Sequence, residues 1–148
     1  METTYYFDYN ATTPVDPRVV EVMEPFFNKN FHNPSSFYRK AGEANYAVEV
    51  ARKQTATLIN AAPEEIFFTS GGTESDNLGI QGIVFKYMDK GNHIITSKIE
   101  HDCVLNSCKW LETQGFKVTY LDVDKEGFIL PETLEKLGLK YVIKDLWP

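Results

Sequence analysis

The sequence predicts an α/β fold, a mostly parallel sheet with flanking helices. Three observations predict it. From Ile66 onward, short β-prone runs alternate three times with stretches of helical spacing, the pattern of parallel strands joined by crossover helices. The change of period falls at glycines, at Gly71-Gly72, Gly91 and Gly115. The 148 residues, 43% of them hydrophobic, suffice for one globular core.

The elements are taken in chain order. Tyr5 to Pro14 is aromatic and then polar, a short arm leading into a loop. Asp16-Pro17 sets a capping side chain before a proline at the first helical position, and Val19, Val20, Met23, Phe26 and Phe27 form an apolar stripe, read as a core or subunit-packing face. Pro25 ends or bends that helix. Phe31 to Ser36 is a loop, because Asn33 before Pro34 disfavours helix, and Ser35-Ser36 can cap the next helix. That longer helix is expected from about Phe37 to Ile59. After the turn at Ala62-Pro63 come a strand at Ile66–Phe68, the glycines, and a helix in which Thr73-X-X-Asp76 matches a capping box. His93–Thr96 reads as a second strand, Cys103–Thr113 as a helix, Lys117–Leu121 as a third strand, and Pro131–Leu137 as a short helix. The apolar stretch from Gly138 to Pro148 suits a fourth strand. The expected organisation is an arm and loop over 1–15, a partial α/β domain over 16–137, and a divergent tail over 138–148.

Composition narrows the function. A net charge of −6 and a pI near 5.1, with no basic run, argue against nucleic acid. No segment is apolar enough to span a bilayer, and Met1 to Thr4 lacks the features of a signal peptide, so a cytoplasmic protein without a membrane partner is expected. Cys103 and Cys108 fall on different faces of one helix and suit neither a disulfide framework nor a zinc site. His32 and His93 have no partner at metal-ligand spacing, and no metal is expected.

The stretch from Phe67 to Asn77 carries the chemistry. A strand, a glycine turn and a helix start would direct free amides and the positive end of the helix dipole toward an anion, with the Thr73 hydroxyl as a further donor. An ordinary strand-to-helix turn with a Gly-Gly hinge fits the same spacing. The stretch matches neither a Walker A loop nor a Rossmann fingerprint. His101, at the next strand-to-helix junction, lies where α/β sheets bind ligands; alone, it reads more readily as a surface or capping histidine than as a catalytic one.

Four stretches together resemble one family, the pyridoxal-phosphate-dependent cysteine desulfurases of the class V aminotransferase group. They are Phe7 to Pro14, Asn33 to Ser36, Thr69 to Asn77 and Ile99 to His101, and their order and spacing match as well. The resemblance runs to about Leu137 and corresponds to the opening portion of a family member. It implies a partial large domain of the fold-type I transferase fold, with pyridoxal 5'-phosphate as cofactor and L-cysteine as substrate, converted to L-alanine with sulfur left as an enzyme persulfide. It implies that Gly72 and Thr73 hold the cofactor phosphate, that His101 stacks on its ring and moves protons, and that Asn10, Ala11 and Thr12 lie near substrate. It also implies a homodimer in the full-length family, a sulfur-acceptor protein, and supply of iron–sulfur or other sulfur pathways. Selenocysteine lyase, another class V aminotransferase, and a non-catalytic fragment that pairs with a complementary chain are the other readings.

The sequence contains no Ser-X-His-Lys segment for the cofactor lysine, no Asp-X-X-Gln and no Ser-X-X-Cys nucleophile loop. From Gly138 onward it departs from the family's continuation, as a truncated or split product would. The residues present are therefore expected to be inactive alone, and the resemblance implies a sheet with a gap after its first strand, leaving apolar faces exposed.

Overall fold

The computed structural model describes residues 5–137, which fall into two compact units, one running to Phe67 and the other starting at Phe68. The apolar 138–148 stretch lies outside the described residues.

In the first unit, helix α1 spans Pro17–Met23 and is capped as expected: Asp16 Oδ1 accepts the Arg18 amide at 2.8 Å. The Arg18 guanidinium returns to the same carboxylate and holds it below the usual carboxylate range. Pro25 has no N–H to continue the ladder, so α1 stops at Glu24 and a second short helix, α2, runs Pro25–Asn28. The stripe read as a core face is not buried within the described residues; Phe26 and Phe27 are 43% and 75% exposed.

Ser35 and Ser36 do not cap the following helix. Their amides go to the Asn33 side chain and carbonyl in a turn, and α3, Arg39–Leu58, starts after Tyr38 with no side-chain cap. Ala41, Ala44 and Ala56 form its buried face. Asn60 adopts φ 55°, and Ala61 N–H reaches back to the Ala56 carbonyl at 2.9 Å, closing α3 as a left-handed cap does. The chain returns along α3 through a 3-10 turn at Pro63–Glu65, held where the Arg52 guanidinium donates to the Ile66 carbonyl.

The expected strand at Ile66–Phe68 is not formed. Ile66 is extended, at φ −96° and ψ 123°, but a strand exists only through a neighbour, and the described residues place none beside it. Phe67 and Phe68 are accordingly 74% and 52% exposed.

The second unit holds α4 (Gly72–Lys86), β1 (His93–Ser97), α5 (Asp102–Thr113), β2 (Lys117–Leu121) and α6 (Pro131–Glu135). The sheet has two strands among the described residues rather than three or four. They pair in parallel, His93 with Lys117 through Ser97 with Leu121, joined by α5. Cys108, Leu111, Phe116 and Leu121 form the core, and the Phe85 ring meets Trp110 and Phe116 edge-on at 5.9 and 5.8 Å. Gly127, at φ 90°, permits the tight turn in which Asp124 Oδ1 accepts the amides of Glu126 and Phe128.

Leu111 is fully buried, whereas Leu78 on α4 is 55% exposed. Leu111→Ala is expected to destabilise the second unit by about 2–5 kcal/mol. Leu78→Ala is expected to stay within about 0.5 kcal/mol of the parent, both read from urea unfolding followed by circular dichroism.

Candidate cofactor site

Helix α4 begins two residues earlier than the capping-box reading places it. Gly71 is the N-cap, in extended backbone, and Thr73 lies inside the first turn without a side-chain capping bond. The reason is a competing clamp: Glu74 Oε2 accepts both the Ser70 amide at 2.6 Å and the Ser70 hydroxyl at 2.7 Å. These two bonds, the backbone one foremost, hold the Glu74 carboxyl below its ordinary range. The Thr69 and Ser75 hydroxyls meet at 2.6 Å on the same turn, and the Asn77 amide secures the Thr73 carbonyl at 2.7 Å.

This clamp fixes the turn without using its donors. Among the described residues, the amides of Gly72, Thr73 and Glu74 and the Thr73 hydroxyl have no protein partner. A Cβ built on Gly71 or Gly72 would meet no atom within 4 Å, so the approach to those amides is open. Convergent amides, one hydroxyl and the positive end of a 15-residue helix form a donor set suited to a phosphate dianion.

His101 follows the turn after β1 and opens α5, and it occupies the capping role: its Nδ1 accepts the Cys103 amide at 3.2 Å. An Nδ1 that accepts leaves the neutral ring protonated at Nε2, with the ring exposed. The Cys103 sulfur lies 2.9 Å from the same Nδ1 and 2.8 Å from Asp76 Oδ2 on α4. Asp76, assigned from sequence to the capping box, therefore turns to the thiol. Its carboxylate raises the Cys103 pKa above the ordinary 9.0, keeping a thiol rather than a thiolate. Cys108 is buried, and burial pushes its thiol up as well. Neither cysteine is an activated nucleophile.

Gly72, Thr73 and His101 thus lie in one unit, with α4 packed on α5 and Gln81 reaching Ser107 at 3.4 Å. Asn10, Ala11 and Thr12 belong to the other unit. There the chain turns on itself: the Ala11 and Thr12 amides both go to the Asp8 carbonyl, and the Tyr6 hydroxyl bonds the Asp8 carbonyl and the Thr12 hydroxyl. Asn33 shapes its own turn. Sequence reasoning missed Asp76, Cys103 and the Ser70–Glu74 clamp; a His-X-Cys at a helix start was the one visible signal for the first two. Among the described residues no group of acidic, histidine or cysteine side chains could hold a metal ion, and no helix is long and apolar enough to cross a membrane.

Comparison with known proteins gives the arrangement its context. Residues 5–141 match the family model described as aminotransferase class V. The chain is 55% identical over 129 residues to a cysteine desulfurase IscS of Methanosarcina thermophila, covering 87% of this chain and 32% of that protein. It is 50% identical to a cysteine desulfurase IscS of Clostridium botulinum, covering 91% and 34%. Among solved structures, a NifS-like protein superposes with a TM-score of 0.84 at 44% identity, over 89% of this chain and 36% of that one. A structure titled SspA in complex with cysteine gives 0.83 at 46% identity, over 90% and 38%. The chain therefore spans about a third of the length of the curated relatives it matches. A match over nearly its whole described length, backed by half-identical relatives and superposable structures, assigns the lineage: the chain belongs to the class V aminotransferase family.

Proposed function

We propose that this chain is the N-terminal part of a cysteine desulfurase, in which the first turn of α4 holds the phosphate of pyridoxal 5'-phosphate and His101 faces its ring. The observation that carries the reading is the open donor set of the Gly72, Thr73 and Glu74 amides with the Thr73 hydroxyl. The half-identical relatives named as cysteine desulfurases, and a structural neighbour titled as a complex with cysteine, support L-cysteine as the substrate.

When bound, the cofactor supplies the electron sink for cleavage of the substrate C–S bond. The chain's own residues bind and orient. The α4 turn fixes one end through charge-assisted hydrogen bonds, and the exposed His101 ring offers a flat face and an Nε2–H that can carry a proton. In the overall reaction L-cysteine and a protein thiol give L-alanine and a protein persulfide, so that the substrate C–S bond and the thiol S–H bond break while an S–S bond and a C–H bond form. Cys103 and Cys108, whose thiol pKa values are raised by Asp76 and by burial, are not proposed for that role. Asn10, Ala11 and Thr12 are proposed to lie near substrate, and a sulfur-acceptor protein, a homodimeric full-length form and a cytoplasmic location belong to the same reading. Selenocysteine in place of cysteine, or another class V aminotransferase substrate, would use the same phosphate turn.

The phosphate turn is tested by phosphate discrimination. Thr73→Val is expected to weaken pyridoxal phosphate binding about tenfold while leaving pyridoxal binding unchanged, followed by visible absorbance and by quenching of protein fluorescence. Equal affinity of the parent chain for the two compounds would overturn it.

A second reading, a fragment that pairs with a complementary chain, is favoured by one observation: Phe67, Leu78 and Ile83 are 74%, 55% and 63% exposed on a fold whose relatives are about three times as long. Mixing the chain with a polypeptide covering the remaining length of a relative is then expected to sharpen a broad thermal transition. A sharp cooperative melt of the chain alone, unchanged by mixing, would contradict pairing.

A further inference from the structure

The contacts around His101 require a proton count. Asp76, when ionised, only accepts hydrogen bonds; Cys103 has one S–H; Nδ1 either accepts or donates. With the ring neutral, Nδ1 accepts from the Cys103 amide at 3.2 Å, and the thiol proton is free to point at Asp76 Oδ2, 2.8 Å away, or at Nδ1, 2.9 Å away. With a proton on Nδ1 the ring gives up the Cys103 amide, and Nδ1–H can donate to sulfur while S–H donates on to the carboxylate. The sulfur lies between a cation and an anion and passes the hydrogen bond from one to the other.

We infer that Cys103 and Asp76 are positioning residues for His101, the thiol coupling the imidazole to the α4 carboxylate. The coupling rests on the reading of His101 as the ring-facing group only for its purpose; the contacts themselves are present without any ligand. The raised Cys103 pKa agrees with a thiol that keeps its proton toward Asp76. Other acidic groups on the packed elements do not compete: Glu100 takes the Ser97 hydroxyl at 2.9 Å, Glu74 takes Ser70, and Asp102 makes no side-chain bond among the described residues. The link also joins α4 to α5, so the helix that carries the phosphate turn and the one His101 caps are tied within hydrogen-bond distance of the ring.

Nitrogen–proton correlation spectra of the His101 ring, recorded on the ligand-free chain across pH, test this directly. The parent is expected to show the Nε2–H form when neutral. Cys103→Ala and Asp76→Asn are each expected to move the Nδ1 resonance of the neutral ring from its parent position, and Cys103→Ser, whose hydroxyl can relay the bond, to return it. A second measurement does not depend on the ring signals. Asp76→Asn removes the charge that raises the Cys103 pKa, so alkylation of Cys103 at neutral pH should accelerate about threefold or more, with buried Cys108 as the internal reference. An Nδ1 resonance unchanged in both Cys103→Ala and Asp76→Asn, with unchanged alkylation, would overturn the inference. Because no cofactor is added, that result would leave the phosphate reading standing, and a failed phosphate test would leave this one standing.

Discussion

Two parallel strands cannot be joined by a tight turn, and the rest of the second unit is built on that constraint. The chain must leave the C-terminal end of β1, cross over, and re-enter beside it; α5 is that crossing. Its first residue therefore falls beside the end of β1, which fixes His101 at a strand-to-helix junction. Helix α4 packs on α5, and the Asp76–Cys103 contact sits where the two helix starts meet. Pairing of five residues in β1 with five in β2 thus determines where the imidazole, the thiol and the start of α4 stand within the unit.

The start of α4 leaves donors unspent. Glu74 could have satisfied the first-turn amides of its own helix, yet it bonds Ser70 instead, just ahead of them. The clamp supplies a local anion favourable to the helix dipole and leaves the Gly72 and Thr73 amides open. At α5 the solution is the opposite. His101 uses its own ring nitrogen to cap the helix, which fixes the ring's tautomer. One helix start leaves its donors open, and the other is closed by the His101 ring.

Much of this was legible in the sequence because it rests on local chemistry. The Asp16-Pro17 cap and the change from extended chain to helix at Gly71-Gly72 each depend on residues close in the chain and formed where expected, and the strand at Lys117–Leu121 formed because β1 lies beside it. What failed depended on neighbours. The strand at Ile66–Phe68 has the right residues and no adjacent strand, and the stripe from Val19 to Phe27 has the right period and nothing over it among the described residues. Thr73-X-X-Asp76 matched a capping box, but Glu74 reached Ser70 and Cys103 reached Asp76, short-range and long-range competitors that a spacing pattern does not register. His101 could be read as cap or as ligand group, and its geometry makes it a cap whose exposed ring is still available.

The central claim is that the open amides of α4 are a phosphate site. The most direct measurement is the backbone amide spectrum of the chain titrated with pyridoxal phosphate. The account predicts saturable shifts largest at Gly72, Thr73 and Glu74, reproduced in direction by inorganic phosphate. Shifts scattered over the surface, with those three amides unmoved, would contradict it.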